Sequence, residues 1–283
     1  MRYTKMHGAG NDFVIIDNRD GAVPEDNKST FAAHVCTRRL SVGADGVMFV
    51  ECSREGGDFR MHFFNADGSE GEMCGNGARC IARYGYEHGL AGETQRVETT
   101  AGLVIGQRVS TREYRVRLNN PSVFQPRRSV IADGVVYDCG YVELGNPGLP
   151  HAVVPVESLS AFTEEALRAT GRALRSCANF PKGANVTFCE TLQFNCFRAV
   201  TFERGVEDFT LACGTGCGSM AAVMTLRGAA DGKNVEIRMP GGVLHVDLTV
   251  DGEFVKDIYL TGPTDIVSEG ELLDEDLPDR AKR

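Results

Sequence analysis

Branched and aromatic residues along this chain gather in short runs, cut apart by glycine, asparagine and aspartate. Runs centred on Val14, Met48, Phe63, Val97 and Val104, and again on Val153, Phe188, Val200, Ile237 and Val246, predict strands. Helical spacing is rarer. It occurs at Ala78, Ile81, Ala82 and Tyr86, at Met220, Val223, Met224 and Leu226, and over Glu164 to Leu174, where acidic residues in the first turn suit a helix N-terminus. The first two helices each follow a glycine-rich turn that begins with a cysteine. The pattern predicts a β-rich chain of mixed α/β (α+β) class with few helices.

The two glycine turns form a pair. Cys74 in "EMCGNGARC" and Cys213 in "LACGTGCGS" lie 139 positions apart, about half of the 283-residue chain. The same offset overlays "GVMFVE" (Gly46 to Glu51) on "NVTFCE" (Asn185 to Glu190), "HFFN" (His62 to Asn65) on "TFER" (Thr201 to Arg204) and "DFVI" (Asp12 to Ile15) on "HAVV" (His151 to Val154). "TAGLV" (Thr100 to Val104) meets "PGGVL" (Pro240 to Leu244) at 140. A register held through several segments marks a duplication, and in it Asn65 stands opposite Arg204. Two domains follow, residues 1–118 and 119–262, with a boundary near Asn119 to Arg128, where prolines and polar residues interrupt the strand pattern. Residues 263–275 are expected to complete the first domain, and 276–283 to form a loose charged tail.

Bulk composition narrows the function classes. Hydrophobic residues make up 42% and charged residues 24%, as in ordinary soluble globular proteins. A net charge of −9 repels phosphate backbones and argues against a nucleic-acid partner, despite the local pair Arg127 and Arg128. No apolar run has signal-peptide or bilayer-spanning length, so the reading is cytoplasmic, with no membrane partner. The ten cysteines are then expected as thiols, most of them buried packing residues. They show no metal-ligand spacing, and no metal site is expected.

A helix N-terminus carries unpaired N–H groups and a partial positive charge, so it can hold an anion and lower the pKa of an adjacent thiol. Cysteine before a tight glycine turn can also be no more than a small buried hydrophobe. For a symmetric pair, thiol chemistry is the stronger reading. Two thiols acting on one carbon can take a proton from one face and return one to the other, which is racemisation or epimerisation. The helix N-termini would stabilise the charge developing on a neighbouring carboxylate. This scheme needs no cofactor, and neither Lys5 nor Lys182 has the context of a pyridoxal phosphate Schiff base.

At the level of motifs the chain resembles the diaminopimelate epimerase family. The matching segments are "KMHGAGNDF", "VGADGVMFVE", "FFNADGSEGEMCGNGARC", "GANVTFCE", "FERGVEDFTLACGTG" and "LTGPTDIVSEGE", from Lys5 to Glu271. The resemblance implies two pseudo-symmetric domains, each a barrel-like β-sheet around a central helix, with the active site in the cleft between them. It implies pyridoxal-independent interconversion of L,L- and meso-diaminopimelate, in lysine and peptidoglycan precursor biosynthesis. By motif, Cys74 and Cys213 are the base and acid, exchanging roles with the direction of reaction. Gly75, Asn76, Gly214 and Thr215 hold the reacting carboxylate and Asn11 binds near it, while Asn65, Asn185, Glu203 and Arg204 surround the distal amino-carboxylate. Asparagines beside glycine are also common turn formers, and "ERG" could be a surface turn. Asn146 is a further substrate-binding candidate. In "GNPGLPH" the chain departs from the compact Gly-Asn-Pro-His of the family, either by three residues inserted after Pro147 or by Leu149 at the expected asparagine.

Two other readings stay open. One is a cofactor-independent racemase of another amino acid, such as histidine, on the same fold. Asn65, Asn185 and Arg204 weigh against it, because a side chain without a carboxylate would leave the arginine unpaired. The other is a thiol redox or metal-binding protein, disfavoured by the missing ligand spacing. The expected partner is a small amino-acid substrate, and a homodimer is allowed.

Overall fold

The computed structural model describes residues 1–71 and 75–273. The chain divides into two compact units, Met1–Val116 with Gly262–Arg283, and Arg117–Thr261. In the first unit the predicted runs become β2 (Asn11–Asp17), β3 (Gly46–Glu51), β4 (Phe59–Asn65), β6 (Thr94–Thr99) and β7 (Gly102–Arg108), and β1 (Arg2–Gly8), β5 (Glu70–Gly71), β8 (Glu113–Arg117) and the late strand β18 (Asp265–Glu271) join them unforeseen. The ladder runs β18, β1, β2, β3, β4, β6, β7, β8, with β5 sharing the β6 side of β4. Only β2–β3 and β4–β6 are parallel steps.

Helix α1 (Lys28–Val35) and helix α2 (Gly75–Glu87) explain why β3 is buried at every position. Val47 and Phe49 pack with Phe31 and Val35 of α1, while Met48 and Val50 join the cluster containing Ile81 and Tyr84 of α2. A strand covered on both faces reads as a continuous apolar run. α2 touches β1 and β2 as well as β6 and β7. Those strands lie far apart in the ladder, so the sheet curls around the helix, and Gly75 through Gly85 are all buried.

The second unit repeats the plan with β9 (Pro121–Ala132), β10 (Val135–Leu144), β11 (Leu149–Val156), β12 (Asn185–Gln193), β13 (Cys196–Glu203), β14 (Asp208–Thr210), β15 (Val235–Met239), β16 (Gly242–Asp251) and β17 (Phe254–Pro263). Its ladder runs β9 to β13, then β15, β16 and β17, with parallel steps at β11–β12 and β13–β15. Helix α4 (Gly214–Leu226) takes the place of α2. Helix α3 (Glu164–Arg175), capped by the Thr163 hydroxyl on Ala166 N–H, packs Leu167 and Leu174 on the outer face.

The ladders correct the repeat register. Val47 pairs with Phe64, and Val186 with Phe202; with Val47 set on Val186 at 139, Phe64 falls on Phe202 at 138. Val14 pairs with Val47 and Ala152 with Val186, so β2 and β11 are also 138 apart. The parallel steps agree, since Phe59 pairs with Val97 and Phe197 with Ile237, offsets of 138 and 140. Asn65, opposite Gly46, therefore corresponds to Glu203, not to Arg204. A one-residue slip reverses the face on which every side chain points. Arg204 belongs to the turn from Glu203 to Asp208, one residue longer than the turn from Asn65 to Ser69.

Other expectations also need correction. The strand pattern is not interrupted at Asn119 to Arg128, because β9 runs straight through Pro126. β9 pairs with β10, and Pro126 and Arg127 sit at a bulge opposite Gly140, where a missing N–H costs no ladder bond. α1 was not foreseen. Its residues Lys28 and Ser29 interrupt the apolar spacing, yet Lys28 is buried. The expected loose tail, 276–283, lies outside the described residues, whereas Leu272 is buried and its N–H donates to the Met1 carbonyl. Among the described residues, no helix is long and apolar enough to cross a membrane.

Helix α4 approaches β10 tightly at Gly140, where an added Cβ would lie 2.5 and 2.6 Å from the two γ-methyls of Val223. Gly140→Ala should destabilise the protein by about 1–3 kcal/mol. Val223→Ala in the same chain should recover most of that loss. Urea unfolding of both variants is the measurement.

Candidate active site

In the first unit, α2 begins at Gly75, and Cys74 lies outside the described residues. Asn76 is 1% exposed, and its amide nitrogen donates to Asn11 Oδ1 at 2.6 Å. Its oxygen accepts from Arg79 Nη2 at 2.9 Å. Asn11 opens β2 after the tight turn at Ala9 and Gly10, and is half-buried. Behind it, Asp12 accepts from Arg38 at 2.6 and 3.1 Å and pairs with Lys5 at 3.0 Å. Burial works to raise the Asp12 carboxyl, but the Arg38 and Lys5 bonds outweigh it and hold it below the usual range. Asn65 ends β4, with its amide on Ser69 Oγ at 3.0 Å.

In the second unit, Cys213 occupies the N-cap of α4 with extended backbone, φ −113° and ψ 106°. The approach is close because residue 216 is glycine. A Cβ there would meet Thr187 Oγ1 at 2.9 Å and Thr201 Oγ1 at 3.1 Å. Cys213 Sγ lies 3.6 Å from Thr215 Oγ1. Gly214 leads the first turn, whose N–H groups have no partners inside the helix. Glu203, at the end of β13, bonds with Thr210 and with the Cys213 thiol.

The helix terminus alone predicts a lowered thiol pKa at Cys213. The outcome is the reverse. Burial pushes the thiol well above its ordinary value and the Glu203 carboxylate adds to this, while the Thr215 hydroxyl and Gly216 N–H pull the other way. Burial likewise raises Glu203, against the bonds from Thr210 and Cys213. Burial and the Glu203 charge thus favour the thiol form of Cys213.

Asn185 Oδ1 accepts from Arg204 N–H at 2.8 Å, and Arg204 Nη1 donates to the Lys182 carbonyl at 2.7 Å. Arg204 is exposed, and its turn carries positive φ at Gly205 and Glu207. It is thus both a turn residue and a cation fixed beside Asn185. Asn146 lies exposed in the turn from Gly145 to Gly148, ahead of a ladder that pairs Leu144 with Leu149. Leu149 stands at the register of Asn11, so this unit has no asparagine there.

One residue escaped the sequence reading. His151 is fully buried beside Asn185 in the ladder, without a hydrogen-bond partner among the described residues, and burial together with the Arg204 charge pushes it down to about 3. The corrected register places it where the first unit has Phe13. A histidine at an apolar position of a repeat was the available signal.

Glu25, Glu51 and His62 could together ligate a metal. The Lys28 ammonium already bonds with all three, at 2.7 Å to Glu25 and 3.2 Å to His62. Among the described residues the cysteines are free thiols.

A family profile described as diaminopimelate epimerase matches residues 3–122 and 144–267. The chain belongs to the diaminopimelate epimerase family. A diaminopimelate epimerase of Aquifex aeolicus is 38% identical over 287 residues, covering 98% of this chain and 99% of the relative. One from Archaeoglobus fulgidus is 39% identical over 279 residues, covering 95% of each chain. Among solved structures, a PhzF-family phenazine biosynthesis protein of Bacillus anthracis superposes with a TM-score of 0.73 at 19% identity, over 96% of this chain and 99% of that one. A probable proline racemase of Agrobacterium radiobacter reaches 0.69 at 16% identity, over 99% and 95%. At such identities these two show the fold alone, the mixed α/β architecture of this chain.

The carboxylate beside Cys213 gives a measurable consequence. In a Cys74→Ala background, Glu203→Gln should move the pH profile of Cys213 alkylation by iodoacetamide to lower pH, because the negative charge that opposes ionisation is gone. An unchanged profile would remove Glu203 from the account of this thiol.

Proposed function

We propose that the protein is an epimerase that interconverts L,L- and meso-diaminopimelate by proton transfer between two cysteines, without a cofactor. The observation that carries this reading is the end-to-end likeness to relatives that bear the name, 38% identical over 98% of this chain. The chemistry of the second unit supports it. A thiol kept protonated at a helix N-terminus is suited to give a proton to a carbanion, and a thiolate at Cys74 would take the α-proton from the other face. The C–H electron pair moves onto the α-carbon and its carboxylate, and the Cys213 S–H supplies the returning proton. One thiolate and one thiol remain, with their roles exchanged.

The N–H groups of Gly75, Asn76, Gly214 and Thr215 are the proposed donors to the carboxylate whose charge grows in the transition state. Asn11 belongs to the same end of the substrate. At the distal end, Arg204 offers a fixed positive charge and a planar fork, with Asn185 holding its backbone. Asn65 and Glu203, equivalent by the ladder, complete the set, and Asn146 is retained as a contact from its turn.

Cys74→Ala and Cys213→Ala should each lower turnover of L,L-diaminopimelate by a hundredfold or more, roughly the size of a lost acid or base. Near-native turnover of either variant would reject the two-thiol reading. Arg204→Met should reduce kcat/KM by about ten- to a hundredfold. Arg204→Lys should be nearly as harmful, since it keeps the charge and loses the fork. Wild-type kinetics in Arg204→Met, read alongside L-histidine as a competing substrate, would turn the assignment toward a racemase of another amino acid.

A further inference from the structure

The first unit contains a chain of amide and guanidinium contacts that its counterpart lacks. Arg79 is fully buried, donating from Nη1 to the Gly75 carbonyl at 3.2 Å and from Nη2 to Asn76 Oδ1 at 2.9 Å. A guanidinium only donates, so the Asn76 atom facing it must be the oxygen. The Asn76 nitrogen must then face Asn11, and it donates to Asn11 Oδ1 at 2.6 Å. That leaves the half-buried Asn11 with its NH2 outward, one N–H toward Asp45 Oδ2 at 3.4 Å and the other free to serve a ligand. At the repeat offset of α2 and α4, Arg79 corresponds to Gly218, where a Cβ would meet Leu118 Cδ1 at 2.6 Å, and Asn76 to Thr215. No such chain is possible in the second unit.

We infer that Arg79 is a positioning residue that fixes the Asn76 and Asn11 amides so that the first unit presents a hydrogen-bond donor, not an acceptor, to a substrate carboxylate. An isolated asparagine amide can turn over at little cost, and would then aim its oxygen at the anion. Burial of Arg79 and Asn76 keeps out bulk water that could serve either orientation, and the guanidinium contact holds the Asn76 oxygen toward Arg79. The inference rests on the proposed epimerase function for its substrate. It does not depend on that function for the orientation itself.

The test uses the full chain with Arg79→Met, Arg79→Lys, Asn76→Ala and Asn11→Ala, each checked for a native unfolding transition, and the two double variants that add Asn11→Ala to Arg79→Met or to Asn76→Ala. With L,L-diaminopimelate, Arg79→Met and Asn76→Ala should each lower kcat/KM about tenfold or more. Arg79→Lys, which still donates to Asn76 Oδ1, should recover most of the loss. Neither change should add more than about twofold once Asn11 is alanine, because coupled residues are not additive. Losses that multiply in the double variants would mean that Arg79 only stabilises the fold, and would overturn the inference. Should Arg79→Met fail to fold, Asn76→Ala carries the same comparison. Should wild type not turn over diaminopimelate, the functional reading falls, and the side-chain amide resonances of Asn11 decide the orientation. Their movement in Asn76→Ala and Arg79→Met supports the relay, and unmoved resonances overturn it.

Discussion

A helix whose first turn is buried has N–H groups that water cannot reach, and those groups must be answered by side chains or by a ligand. Both units impose this condition, since Gly75 through Gly85 of α2 and Gly214 and Gly216 of α4 are buried. The sheet must curl to cover such a helix. The residues under it must be small, as at Gly216, where the Thr187 and Thr201 hydroxyls leave no room for a Cβ. What results is a dry, positively polarised helix end in each unit, which suits a carboxylate and disfavours an unpaired ion of either sign.

Burial also decides the state of the sulfur. The helix end favours a thiolate by an amount that is modest at a wet surface. At Cys213, desolvation and the neighbouring Glu203 charge outweigh it. A thiol that is hard to ionise is a poor resting nucleophile and a good stored proton. In thiol oxidoreductases, by contrast, a lowered pKa keeps the sulfur reactive. On the proposed two-thiol reading, delivery of the Cys213 proton depends on a partner that receives negative charge at the moment of reaction.

Much of this was legible in the sequence, and the failures have physical causes. Short apolar runs and glycine turns marked most strands and both buried helices, because local propensity and tertiary burial agree there. A gapless comparison could not see the single-residue slips, since an insertion in one loop and a deletion in the next restore the offset by the time α2 and α4 begin. Arg79 is a solvent-facing helix residue by type alone, and its contacts with Asn76 and Gly75 are not visible in the sequence. Pro126 looked like a strand breaker because sequence does not say which strand lies at an edge. The thiol pKa was misjudged for a related reason, as dipole and turn are visible in the sequence while depth of burial is not.

The corrected register makes the departures from symmetry specific. Asn65 is equivalent to Glu203, Phe13 to His151, Asn11 to Leu149 and Arg79 to Gly218 in the two copies, and each difference exchanges a neutral or apolar group for a polar or charged one. The core pairs Phe59 with Phe197, Val47 with Val186 and Val97 with Ile237 remain apolar in both. A duplicated scaffold under selection for stability alone has no reason to diverge at the helix starts and turn ends while keeping its core alike. On the proposed epimerase reading, a substrate that asks for an amide donor from one copy and a proton from the other supplies that reason. The first copy carries an oriented amide relay; the second carries a carboxylate against a protonated thiol.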